Sequence, residues 1–167
     1  MSKVLVKPLW LEIGLNYLGK AEIPGVKTAP FISKALLLMK AWWKDDETPW
    51  CGVALGAVMR LAGEQTPKAY YRARAWADWG TKLPMPAYGC VVVFERGGAG
   101  HVGLVVGADS RGRLMVLGGN QGNAVTIAPF DPSRVLAYRW PTGSHYPLQY
   151  SLPVYGANGL ESSKDEK

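Results

Sequence analysis

The sequence predicts an α+β fold with N-terminal helices packed on a mostly antiparallel, five-stranded sheet. Three observations predict it. Apolar residues recur at helical spacing from residue 8 to about residue 80. Short β-branched runs, separated by Gly, Pro, Asp or Asn, then fill the chain to residue 140. Twenty Gly and twelve Pro imply frequent turns and argue against a long helical bundle. Helices first and strands afterwards is the α+β order.

Each element has its own signal. Residues 8–19 read as a helix, with Pro8 at its first position, Leu9, Ile13 and Tyr17 on one face, and Gly19 ending it. After the loop "EIPGVKTAP", residues 30–43 read as a second helix with Phe31, Ala35, Leu38 and Trp42 on one stripe. "KDDE" breaks that pattern. Thr48 is placed to cap a third helix, with Pro49 at its first position and Gly63 after its last, Ala62. "TPKAYYRARAWADWG" reads as a short fourth helix ending at Gly80. The strands are "GCVVVFE", "HVGLVVG", "RLMVLGG", "AVTIAPF" and "RVLAYRW", with "RGGAG" and "ADSRGR" as hairpin loops. The third helix should lie against this sheet. A single domain spans residues 8–141. Residues 142–167 lose periodicity and end in "SSKDEK", which reads as a loosely attached extension with a disordered end.

Composition narrows the function. A chain of 167 residues suits one domain with a real core. The formal net charge of +6 attracts polyanions such as nucleic acid, anionic lipid or bacterial cell wall. Lys and Arg are scattered, with no run of three, which argues against nucleic acid. Seven Trp and eight Tyr can fill a core or line a groove for sugars and peptides. Two Cys and two His offer neither a disulfide framework nor a metal-ligand spacing, so no metal or cofactor is expected. Pro8 and Glu12 interrupt the N-terminal apolar stretch, so no signal peptide is read. No run approaches the roughly 18 apolar residues of a membrane span, so no stable membrane insertion is expected. A monomer made in a cytoplasm is the expectation.

The candidate chemistry begins at Cys51, a few residues into the third helix. Backbone N–H groups there lack intrahelical partners, and the helix dipole adds partial positive charge. Both favour a thiolate, and the same N–H groups could hold an oxyanion. Cys51 also starts an apolar stripe with Leu55, Val58 and Ala62, so position alone leaves open a plain core cysteine. Cys90 opens an apolar strand with no helix start beside it and reads as structural. His101 opens a strand after a Gly-rich turn and is the one placed candidate for a base; His145 reads as exposed. Asn120 follows the next strand, whose end approaches the start of the strand carrying His101. Its amide could orient the imidazole, or it could be a turn residue in "GGNQGN". Asp45, Asp46 and Glu47 read as a solvated loop, and "RARAW" as a groove wall or helix face.

Taken together, "TPWCG", "ARAWADWG", "VVVFERGGAGHVGLVVG", "VLGGNQGNAVTI" and "RVLAYRWP" resemble the papain-like NlpC and CHAP superfamily, and small phage and bacterial proteins within it. The similarity runs from about residue 8 to Pro141. It implies a papain-like fold with Cys51 as nucleophile, His101 as general base and then acid, and Asn120 as the orienting residue. The Cys51 N–H would be one oxyanion donor. Trp50, Arg74, Trp76 and Gln121 fall in matching motifs as substrate contacts. The implied reaction is hydrolysis of a peptidoglycan amide, either the muramyl–L-alanine link or a peptide bond, without a cofactor. A phage endolysin released through a holin is the implied setting, acting on the wall in the periplasm or outside. An injected antibacterial effector and a non-catalytic wall-binding or virion module are the alternatives. The chain departs from the pattern at three positions. Relatives commonly have Asp at Cys90, Ala or Ser at Gly52, and, in CHAP proteins, Glu at Gly118.

Overall fold

The computed structural model describes residues 4–23, 28–43 and 49–156. Three α-helices lead: α1 (Leu9–Leu15), α2 (Pro30–Leu38) and α3 (Cys51–Leu61). A 3-10 helix at Ala73–Asp78 follows. The strands are β1 (Thr81–Leu83), β2 (Val91–Phe94), β3 (His101–Asp109), β4 (Leu114–Gly118), β5 (Thr126–Phe130), β6 (Val135–Trp140) and β7 (Val154–Tyr155). They form one sheet in the order β1-β6-β2-β3-β4-β5. Every pairing along that order is antiparallel. The short β7 runs parallel to β3, beside Ala108 and Asp109, where β2 has ended. The α+β fold and the five expected strands are present, and β1 and β7 bring the sheet to seven strands. At three and two residues, these two are too short to show alternation in a sequence.

The helices differ from expectation in length and facing. Pro8 precedes α1 as its cap, and the buried residues are Trp10, Leu11 and Gly14, while Leu9 is exposed. The indole of Trp10 donates to the Gly89 carbonyl at 2.8 Å, which ties α1 to the start of β2. Helix α2 stops at Leu38, and Lys40 takes a left-handed φ of 55°. Ile32 and Leu36 are its buried residues, and Trp42, expected on the apolar stripe, is 81% exposed. Helix α3 begins at Cys51 itself, with Trp50 as its cap residue and no side-chain cap bond. Thr48 and the acidic residues 45–47 lie outside the described residues. The predicted fourth helix is the 3-10 turn at Ala73–Asp78.

Helix α3 is the centre of the fold. Cys51 through Met59 are buried with the exception of Ala54, so the helix is enclosed on almost every side. It packs against β3 and β4 on one side and α1 and α2 on the other. Gly52 makes the fit possible: a Cβ there would stand 2.3 Å from the Tyr70 carbonyl oxygen. The 70–71 backbone crosses so close that only Gly fits at position 52 without a shift.

The residues after 141 are not a loose appendage as far as residue 156. Tyr146 meets the Trp10 ring edge-on at 5.3 Å. Gln149 exchanges two hydrogen bonds with the backbone of Val6, and its carbonyl accepts from the Tyr88 N–H. Weak periodicity hid this segment because its anchoring uses single contacts rather than an apolar face. Residues 157–167 lie outside the described residues.

Replacing Gly52 by Ala tests the close crossing. Gly52→Ala is expected to lower stability by about 1–3 kcal/mol in urea unfolding, as overpacking does. An unchanged midpoint would contradict the packing described here.

Candidate active site

Three segments meet at the N-terminal end of α3. Cys51 is its first residue, and the N–H groups of its first turn have no side-chain acceptor from a cap. The backbone N–H of Val102, the residue after His101, lies close enough to the Cys51 sulfur to favour its thiolate. Its own N–H and that of Gly52 act in the same sense. Sulfur and imidazole, fifty residues apart in sequence, therefore share one corner where α3 abuts the start of β3.

The His101 ring is held on its face and its edge. Phe130 stacks on it at 5.3 Å between centroids, with the planes 11° apart. Phe94 stacks in turn on Phe130 at 4.6 Å. At the edge, Nε2 lies 2.8 Å from Oε1 of Gln121. The Gln121 Nε2 donates to the carbonyls of Val116, at 3.2 Å, and Thr126, at 2.9 Å. It also reaches the Thr126 hydroxyl at 3.1 Å. Turning the amide over would set its oxygen against both carbonyl oxygens. The network thus fixes Oε1 toward the ring. An amide oxygen can only accept, so His101 donates from Nε2. In the neutral ring, Nδ1 then carries the lone pair, and it has no hydrogen-bond partner among the described residues. This is the nitrogen available to take a proton.

The orienting amide comes from Gln121 rather than Asn120. Asn120 has a left-handed φ of 59° and belongs to the turn, which continues through Gly122 and Asn123, both also left-handed. That turn carries the chain back so that the side chain of the next residue enters the pocket beside the ring. Gly118 leaves the room. A Cβ there would lie 2.3 Å from Gln121 Oε1 and 3.3 Å from His101 Nε2. Position 118 thus faces the same nitrogen. In this chain it is empty of side chain, and the Gln121 amide fills the space.

Burial sets the protonation states. It pushes the Cys51 thiol up from its ordinary value, while the Val102 and Gly52 N–H groups and the field of Arg96 oppose it only in part. The helix start alone led to the opposite expectation; enclosure outweighs the partial charges there. His101, with 0% of its surface exposed, is held down to about 4, first by burial. The Gln121 bond opposes that shift and the Arg96 charge adds to it. At neutral pH the resting pair is thiol and neutral imidazole. Cys90 is fully buried, and its thiol is pushed up to about 12 by that burial.

Of the four expected substrate contacts, Trp50, Trp76 and Gln121 are buried. Trp50 is buried, donates to Glu22 at 2.7 Å and meets Phe31 edge-on. Trp76 is buried and donates to the Tyr70 carbonyl. Arg74 is ion-paired with Glu95 and donates to the Gly98 carbonyl, bracing the β2–β3 turn. Gln121 is buried on the ring. Trp50, Trp76 and Gln121 are buried with their polar groups bonded, and Arg74 remains partly exposed. Sequence reasoning missed Arg96, which is exposed in that braced turn and whose charge reaches both Cys51 and His101. Its place two residues after β2, in the hairpin that ends at His101, was the available signal. His145 is exposed, as expected.

Residues 41–120 match the family model described as the CHAP domain. The chain carries a CHAP domain. The matched stretch holds Cys51 and His101 and ends one residue before Gln121. The arrangement of helices on a largely antiparallel sheet is the papain-like form of that domain. Membership implies a cysteine-hydrolase-type enzyme active on peptidoglycan. No curated protein matches the chain. Among the described residues no group of His, Cys, Asp and Glu is arranged to hold a metal. No described helix is long and apolar enough to cross a membrane.

The depressed imidazole makes a pH prediction. The folded value of about 4 lies below the ordinary 6.5, so the unfolded chain takes up the proton first as pH falls. The stability linked to His101 is complete above 6.5 and is lost as pH drops toward 4. The loss amounts to about 3 kcal/mol. Urea unfolding of the wild type and of His101→Gln, compared across this window, should show that extra decline in the wild type. Parallel declines would contradict a neutral, buried ring.

Proposed function

We propose that the protein hydrolyses an amide of the peptidoglycan peptide with Cys51 as nucleophile and His101 as base. The observation that carries this reading is the Gln121–His101 bond, which leaves Nδ1 as the unprotonated ring nitrogen, in the residue next to the Val102 N–H that acts on Cys51. Cys51 Sγ attacks the substrate carbonyl carbon while its proton passes to Nδ1. The oxyanion is received by free N–H groups of the first turn, that of Cys51 among them. The imidazolium then protonates the leaving nitrogen as the C–N bond breaks. Water, deprotonated by His101, opens the thioester and restores the thiol.

The resting pair is neutral, so the thiolate forms during attack rather than before it. The Arg96 guanidinium and the overall charge of +6 suit an anionic wall polymer. An amidase cutting the muramyl–L-alanine link and an endopeptidase cutting the stem or cross-bridge use the same steps. A phage endolysin, made in the host cytoplasm and reaching the wall through a holin, is the setting we favour.

Soluble fragments released from purified peptidoglycan are the readout. Cys51→Ala is expected to reduce release by at least about a thousandfold, and Cys90→Ala to leave it unchanged. Gln121→Leu is expected to lower kcat about a hundredfold, whereas Asn120→Ala changes it little. Gln121→Glu should restore part of that loss and move the acidic limb of the pH profile upward, because a carboxylate favours the protonated ring. Peptidoglycan bound by the wild type with no fragment released would instead identify a non-catalytic wall-binding module.

A further inference from the structure

A cavity of about 440 Å³ lies between α1, α2, α3 and the sheet, and Cys51 forms part of its wall. Its long side is the apolar stripe of α3, from Cys51 to Leu61. Ten residues of helix separate those two, or about 15 Å. Facing this stripe are side chains of α2 and of β3 and β4, among them Leu38, Leu104 and Leu117. The lining contains no carboxylate and no side-chain amide. Apart from Tyr17, its polar side chains are Lys20 and Lys34, both exposed at the surface. Neither lysine has an ion-pair partner among the described residues.

Apart from Tyr17, Cys51 and the two lysines, the side chains of these walls offer no partners to a ligand's donors and acceptors. A hydrocarbon chain brings none. The volume is that of a small-molecule site, elongated along one helix. Two unpaired ammonium groups beside an apolar slot complement a single-chain anion. We propose that the cavity binds one unbranched fatty-acid carboxylate, its head group at Lys20 and Lys34 and its chain along α3 against Cys51. Occupancy covers the sulfur, so the bound chain shields Cys51 from any other reagent. Because that sulfur is also the proposed nucleophile, an occupied cavity would block hydrolysis, although binding itself needs no turnover.

The test uses the full chain and sodium dodecanoate below its micelle concentration. Calorimetry reads binding, and mass spectrometry of iodoacetamide-treated protein at alkaline pH reads Cys51. One molecule is expected to bind. At about ten times its Kd, alkylation of Cys51 should slow about tenfold. Lys20→Gln combined with Lys34→Gln should weaken binding about tenfold. Ala35→Phe, which fills the slot, should abolish binding while circular dichroism stays unchanged. If that variant does not fold, the surface lysine pair carries the test. Equal binding of dodecyltrimethylammonium, binding to phosphatidylglycerol vesicles but not to dodecanoate, or binding without protection of Cys51 would each overturn the proposal. No binding at all would overturn it too, and would leave peptidoglycan hydrolysis, measured separately, untouched.

Discussion

Two carbonyl oxygens, on Val116 and Thr126, give the Gln121 amide one orientation, and the site follows from it. With its N–H groups committed to them, the amide can offer His101 only its oxygen. The ring must then donate from Nε2 and keep Nδ1 as the base. Backbone groups in the middle of β4 and at the start of β5 thus settle which imidazole nitrogen can move a proton. The Phe130 ring, itself stacked on Phe94, covers the face of the imidazole. Gly118 is part of the same solution, because any side chain there would displace the amide oxygen.

Enclosure has a second consequence. A helix start is usually argued to favour a thiolate, and the first-turn N–H groups of Cys51 and Gly52 do act on the sulfur in that sense. Here they are outweighed by burial, which raises the thiol and lowers the imidazole together. A neutral amide orients the ring without supplying the negative charge that would support an imidazolium. The pair is therefore poised for proton transfer in step with attack. Arg96 lies outside this enclosure, in a turn braced by Arg74 and Glu95, and supplies the positive field at its rim.

Much of this was legible from residue types and spacing. The strands from β2 to β6 announced themselves by β-branched runs between turns, and Cys51 and His101 stood out at a helix start and a strand start. The segment after β4 was correctly brought to His101 by antiparallel pairing. The choice between Asn120 and Gln121 was not legible, because it depends on a left-handed turn that reverses which side chain points inward. The burial of Trp50 and Trp76 was not legible for a related reason. An indole in a matching motif looks the same whether it lines a groove or, as here, is buried with its N–H bonded to Glu22 or to the Tyr70 carbonyl. The docking of residues 146–155 rests on isolated contacts that leave no periodic trace.

The central claim is the tautomer and charge of one ring. Nitrogen chemical shifts of His101, recorded on ¹⁵N-labelled protein near neutral pH, read both directly. The account predicts a neutral ring protonated at Nε2, with Nδ1 in the range of an unprotonated nitrogen, and no titration until pH falls toward about 4. A ring protonated at Nδ1, or one carrying a positive charge at neutral pH, would contradict it.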